Sequence, residues 1–157
     1  MRPIIIHFDD CDLGRVIIRA DVLRGDSLSH GPVRFKLDSG SDFTIVNYDD
    51  LKDLGYTDEF LRNCPKHTNI ATAAEGSSIT LRYLSNISIM FEDREIQGCR
   101  IYFSLEAGMR NLFGNDILKY FNREINYDMG EMRLNQRAAQ PLLAAGQAPL
   151  QIYSLED

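Results

Sequence analysis

A chain of 157 residues with 44% hydrophobic and 25% charged residues has the size and balance of one globular domain with a real core. Its 17 basic residues against 23 acidic ones leave a net charge of −6, which excludes a protein that neutralises nucleic-acid phosphates with a basic stripe. No apolar run approaches the roughly 18 to 20 residues of a membrane helix. The short greasy start is cut off by His7 and Asp9-Asp10 too soon for a signal peptide, so a cytoplasmic location is expected.

Residues 4–8 read as a short strand. The cluster Asp9-Asp10-Cys11-Asp12-Leu13-Gly14 lacks the fifth-position ligand and closing Glu of a calcium loop and reads as a solvated turn. Alternation of Val16, Ile18, Ala20 and Val22 with Ile17, Arg19 and Asp21 predicts a second strand. Residues 24–32 read as a loop, and Val33 to Leu37 alternate again as a strand with one buried face. A sharp turn at Ser39-Gly40 leads to a second apolar run over 43–46. Asn47 then caps a helix with Asp49 and Asp50 in its first turn, Leu51 and Leu54 facing inward and Gly55 ending it. Thr57 caps another short helix that Pro65 bars from continuing past Cys64.

From 67 to 105 the pattern is nearly all strand. Ile70 to Ala73 enter a small, polar stretch at 74–78. Ile79, Leu81 and Tyr83 alternate on the way out, Ile87, Ile89 and Phe91 continue the period of two, and Glu92-Asp93 reads as a hairpin tip. Cys99, Ile101, Phe103 and Leu105 alternate again. After the apolar run Leu112-Phe113-Gly114, one helix is predicted over 115–121, with Ile117, Leu118 and Phe121 inward. A hairpin follows, turning at Asp128-Met129-Gly130. The tail from Gln136 has no strong period until 150–153. Cys11, Cys64 and Cys99 are odd in number and far apart, so reduced thiols are expected. His7, His30 and His67 have no metal-ligand spacing.

The stretch that organises the rest is Leu37-Asp38-Ser39-Gly40-Ser41-Asp42, a carboxylate at the mouth of a tight loop, at the end of a strand anchored in a core. By itself Asp-Ser-Gly is also a plain turn. Paired with Leu112-Phe113-Gly114-Asn115-Asp116 some seventy residues later, it resembles the retropepsin-like aspartic proteases, over about residues 33–134. The resemblance implies a mainly β, single-lobe acid-protease barrel with a flap hairpin and one or two short helices, acting as a C2 homodimer. It places a protease domain at 1–135 and a C-terminal tail at 136–157. It makes Asp38 the catalytic aspartate, Ser39 the hydroxyl that bonds across the dimer, and Gly40 the point where the backbone runs close to a peptide. Ala74-Glu75-Gly76 becomes the flap tip, and Asp42 an acidic position of a polar cluster. Family members of retroviral type carry Arg where this chain has Asn115, so Asp42 needs another partner. The strands at 3–8 and 150–153 are the expected dimer strands.

The chemistry implied is peptide hydrolysis. One ionised carboxylate takes a proton from water while a protonated one polarises the scissile carbonyl. Two aspartates about 3 Å apart share a proton because both cannot ionise comfortably. With a single Asp-Ser-Gly in the chain, the second carboxylate has to come from another copy. The expected partners are a second subunit and an extended polypeptide clamped by strand-like bonds. Leu112 contacts that substrate, Ile45, Ile79 and Leu105 add apolar pocket walls, and Glu75 disfavours acidic side chains. No metal, cofactor, nucleic acid or membrane is implied. Other readings are a catalytically silent peptide-binding or dimerisation module of the same fold, a plain β-barrel scaffold, and a serine hydrolase. The last lacks a GxSxG elbow and a marked base for Ser39 or Ser41.

Overall fold

The computed structural model describes residues 2–8, 16–23, 30–71, 78–92, 94–106, 108–138 and 150–154. The strands are β1 (Ile4–His7), β2 (Ile17–Leu23), β3 (His30–Leu37), β4 (Lys66–Ala71), β5 (Ser78–Phe91), β6 (Arg94–Phe103), β7 (Leu112–Phe113), β8 (Phe121–Asn126), β9 (Glu131–Gln136) and β10 (Gln151–Ser154). Among the described residues three short helices interrupt them: α1 (Tyr48–Asp53), α2 (Asp58–Arg62) and α3 (Asn115–Leu118). The architecture is mainly β, as the alternating sequence requires.

Two sheets form. The larger runs β10-β6-β5-β2-β3-β7, with β4 also paired to β5, and the smaller runs β1-β9-β8. β2 and β3 pair antiparallel from Ile17 opposite Lys36 to Leu23 opposite His30, which sends Ile18, Ala20, Val33 and Phe35 inward together. Phe113 lies in the middle of the core, edge-on to Phe35 at 5.7 Å and to Phe91 at 5.9 Å. Each fully buried side chain of this size contributes about 2–3 kcal/mol of transfer free energy.

The cap chemistry read from sequence is present. The Asn47 side chain accepts from the Asp50 N–H and the Thr57 hydroxyl from the Phe60 N–H, each satisfying one donor that the first helical turn leaves free. Gly55 follows α1 at φ +101°, a left-handed conformation that favours glycine.

Four elements differ from the sequence reading. α3 ends at Leu118, and Phe121 opens β8 rather than closing a helix. Its aromatic ring is buried either way, so periodicity alone did not separate the two states. β3 begins at His30, inside the expected loop. β6 begins at Arg94, ahead of the alternation that starts at Cys99, and Leu105 falls beyond its end. In β5 the period of two breaks: the buried series runs Leu81, Leu84, Ile87, Ile89, Phe91. The register against β6 shifts between Leu84 and Ile87, where Asn86 takes φ +59°, so a bulge turns the strand over and keeps both halves facing apolar layers.

Both terminal strands find partners within the chain, β1 on β9 and β10 on β6. The Arg94 side chain, 2% exposed, holds the entry to β1 by donating from Nη2 to the Arg2 carbonyl at 2.7 Å. His7 Nδ1 bonds Glu92 Oε1 at 2.9 Å, and the carboxylate raises the imidazole pKa. Cys64 and Cys99 are buried free thiols. Cys11 and the acidic turn around it lie outside the described residues. Among the described residues no helix is long and apolar enough to cross a membrane.

Candidate active site

Asp38 stands where β3 leaves the core. β3 and β7 run parallel, with Leu37 opposite Phe113, and the Asp38 N–H donates to the Phe113 carbonyl at 3.0 Å. The chain then folds back on itself: the Ser41 N–H donates to the Asp38 carbonyl at 3.1 Å, closing the turn. The Gly40 N–H donates to Asp38 Oδ1 at 3.0 Å, so the backbone of the loop orients the carboxylate. A Cβ on residue 40 would sit 3.3 Å from that same oxygen, so a glycine keeps the carboxylate and its donor at bonding distance. Asp38 is half-buried, while Ser39 and Gly40 are exposed.

The returning segment is locked to the far side of β7. Ile45 and Leu112 exchange backbone bonds of 2.8 and 2.9 Å, and Val46 and Thr44 bond Tyr102 at 3.0 and 2.9 Å. β7 is therefore held between β3 and residues 44–46, and Gly114 passes directly under the loop. A Cβ there would lie 2.2 Å from the Phe43 carbonyl oxygen.

A buried polar knot fixes this crossing. Thr44 is fully buried; its N–H donates to Asp116 Oδ2 at 3.1 Å and its hydroxyl to Asp116 Oδ1 at 2.6 Å. The hydroxyl oxygen accepts the Gly114 N–H at 3.1 Å, and the Asn115 N–H donates to the Ser41 carbonyl at 2.8 Å. Burial pushes the Asp116 carboxyl above its usual range, against the lowering effect of the bonds from Thr44 and Ile117 and of the Lys119 charge. With the pKa raised in the folded state, the stability linked to Asp116 is full below the ordinary carboxylate pKa. It is lost as pH rises through the raised value.

Thr44→Val keeps the shape but strands the Gly114 N–H and removes a donor from Asp116. The expected cost is about 2–6 kcal/mol, from two groups left short of a partner at about 1–3 kcal/mol each. The variant also pushes the Asp116 pKa further up, so its deficit is larger at neutral pH than in acid. Melting curves measured at both pH values check this; an equal deficit at both would assign the loss to packing alone.

Asp38, Gly40 and Leu112 are brought to one place, Leu112 half-buried beside Ile45. Asp42 is exposed, and the loop is held instead through Ser41, Thr44 and Asp116. Ser41 takes its own part by donating from its hydroxyl to the Phe43 carbonyl at 2.7 Å. The sequence reading did not assign Thr44, Gly114 or Asp116. The signal is in the Gly114-Asn115-Asp116 run, where an acid two positions past a glycine follows an apolar pair. Ala74, Glu75 and Gly76 lie outside the described residues; β4 and β5, which lead to and from them, are paired. Of the expected pocket walls, Ile45 is 5% exposed and forms the centre of a small apolar cluster, with Ile79 and Leu112 packed around it. Leu105 packs against the main core instead, because β6 has ended before it. A concavity of about 590 Å³ runs along the β8–β9 hairpin, lined in part by Glu124, Tyr127 and Met129; none of its lining residues belongs to the Asp38 loop.

No family model and no curated protein matches the sequence. Solved structures do. A retropepsin-like aspartic protease from Rickettsia conorii superposes with a TM-score of 0.58 at 20% identity, over 85% of this chain and 90% of that one. The EIAV protease complexed with an inhibitor aligns at 19% identity and a TM-score of 0.43, over 67% of this chain and 86% of that one. The arrangement of sheets, the doubled-back Asp38 loop and the superposition on the Rickettsia conorii protein together show that the chain has the retropepsin-like fold.

Proposed function

We propose that the chain is an aspartic endopeptidase, and that two copies related by a two-fold axis each contribute Asp38 to one active site. The observation that carries the reading is the seating of Asp38: a half-buried carboxylate at the end of a core strand, oriented by the Gly40 N–H, in a loop braced by a buried Thr44–Asp116 knot. So much fixed hydrogen bonding around an otherwise plain turn supports a loop that has to hold one carboxylate in place.

In the proposed reaction one Asp38 is ionised and its mate protonated. The ionised carboxylate takes a proton from water, and the resulting hydroxide oxygen bonds to the scissile carbonyl carbon. The protonated carboxyl donates to the carbonyl oxygen as negative charge develops there. As the tetrahedral species collapses, the carboxyl that took water's proton passes it to the leaving amine nitrogen, the C–N bond breaks, and the other carboxylate recovers its proton from the oxygen as the C=O bond re-forms. The substrate lies extended between the Asp38 loop and the β4–β5 flap, with Glu75 at the tip and Ser39 bonding across the axis. Among the described residues β1 and β10 each pair along one edge, and their other edges are the proposed sites of an intersubunit sheet.

Sedimentation combined with peptide cleavage from acid to neutral pH tests the proposal. Activity per chain is expected to fall on dilution in step with the dimer fraction. A chain that cleaves as a monomer removes the shared site, and a dimer that cleaves nothing at any pH makes the fold a silent peptide-binding module.

A further inference from the structure

Beside the Asp38 loop sits a second apolar cluster, separate from the main core. Among the described residues, Ile45, Leu81 and Tyr102 are its buried members; Phe43, Tyr83, Met109 and Leu112 are among the half-exposed side chains around them. A cluster with more rim than centre is unusual for a packing core, whose members are normally enclosed on all sides.

Its rings are arranged as an aromatic corner. Phe43 lies 4.5 Å from Tyr102 at 58° and 5.0 Å from His67 at 64°, and His67 meets Tyr102 at 5.6 Å and 84°. Tyr83 lies 5.9 Å beyond Tyr102, and the Arg100 guanidinium sits 4.2 Å over its ring, which holds that side of the corner in place. Tyr102 is buried behind the corner, while Phe43 and His67 keep part of their surface exposed at its front, where a further ring can meet them in the same tilted geometry.

The corner is tied to the catalytic loop by covalent and hydrogen-bonded links. Phe43 belongs to the loop itself, its N–H donating to Ser41 Oγ at 3.3 Å. Leu112 precedes Phe113, whose carbonyl accepts the Asp38 N–H. His67 stands on β4, the strand leading into the proposed flap. An extended polypeptide over Asp38 sends alternate side chains to opposite faces, about 7 Å apart along one face. The geometry points to this corner as a subsite for an aromatic side chain of the bound polypeptide, walled by Phe43, His67 and Tyr102. The inference rests on the proposed protease reading for the path of the peptide, but the ring geometry stands without it.

The probes are extended octapeptides differing at one position at a time, carrying Phe, Tyr, Leu, Val or Lys. Cleavage is measured on the wild-type protein and binding on Asp38→Asn. At one position Phe and Tyr are expected to exceed Leu about two- to tenfold, the range for an added aromatic pair. In Phe43→Leu, which keeps apolar bulk, and in His67→Ala, that ratio is expected to fall towards one. In Phe60→Ala, an exposed ring on α2 stacked on Tyr56, it is expected to persist. Cleavage with no aromatic preference overturns the subsite and leaves the protease reading standing. Aromatic-selective binding without any cleavage supports the subsite and overturns the protease reading. Peptides neither bound nor cleaved overturn both.

Discussion

Asp38→Asn is expected to lower peptide hydrolysis by at least about 10³-fold, the scale of lost general acid–base assistance, because in the proposed symmetric dimer one substitution removes both carboxyl groups. An amide cannot take a proton from water, and neither copy can offer the acidic hydrogen that polarises the carbonyl. The fold is expected to survive. Asparagine has the shape of the aspartate, and its side-chain oxygen can still accept the Gly40 N–H that now meets Oδ1 at 3.0 Å. The strand bond from the Asp38 N–H to Phe113 is main-chain and unaffected. The melting temperature should therefore stay within about 2 °C, as for a substitution that changes no buried contact. Turnover is read by peptide cleavage and fold by circular dichroism. Residual activity near the wild-type level would move the catalytic group elsewhere in the chain.

Gly114→Ala is expected to damage both stability and turnover without touching a catalytic atom. The added carbon would lie 2.2 Å from the Phe43 carbonyl oxygen, 2.5 Å from its carbon and 3.0 Å from the Ser41 carbonyl oxygen. Those neighbours are backbone and cannot rotate away. They belong to the same loop as Asp38, so relieving the clash means moving that loop. The same shift stretches the Asn115 bond to Ser41 and the Gly114 bond to Thr44, now 2.8 and 3.1 Å. A cost of about 3 kcal/mol, the upper end for overpacking, corresponds to roughly 6–12 °C in melting temperature. A displacement of about 1 Å at a catalytic group costs on the order of 10²-fold in rate. Assay at 15 °C, well below the lowered melting point, separates the two effects. A variant of unchanged Tm and unchanged turnover would show that the loop crosses β7 with more room than these distances allow.

The two predictions depend on different kinds of information. Asp38 was legible in the sequence because a carboxylate in Asp-Ser-Gly follows an alternating strand and is matched by Leu112-Phe113-Gly114 downstream. The caps at Asn47 and Thr57 were legible for a similar reason, since a cap acts on an N–H three residues away. Phe121 was misread as helical because a single buried ring after α3 suits a helix face and a strand start equally. Asp42 is exposed, and the acid that braces the loop is Asp116 on the other side of the crossing, 72 positions from Thr44. Nothing local could choose between those two acids.

By itself, the sequence determined the local states: which runs alternate, where helices begin and end, and where one carboxylate meets a tight turn. These follow from side-chain period and from bonds spanning a few residues. The tertiary structure alone decided that residues 44–46 pair along the edge of β7 away from β3, that Thr44 and Asp116 meet at that crossing, and that Phe43, His67 and Tyr102 gather beside the Asp38 loop. Such contacts join residues tens of positions apart, and their geometry depends on how the sheets close rather than on any short pattern in the chain.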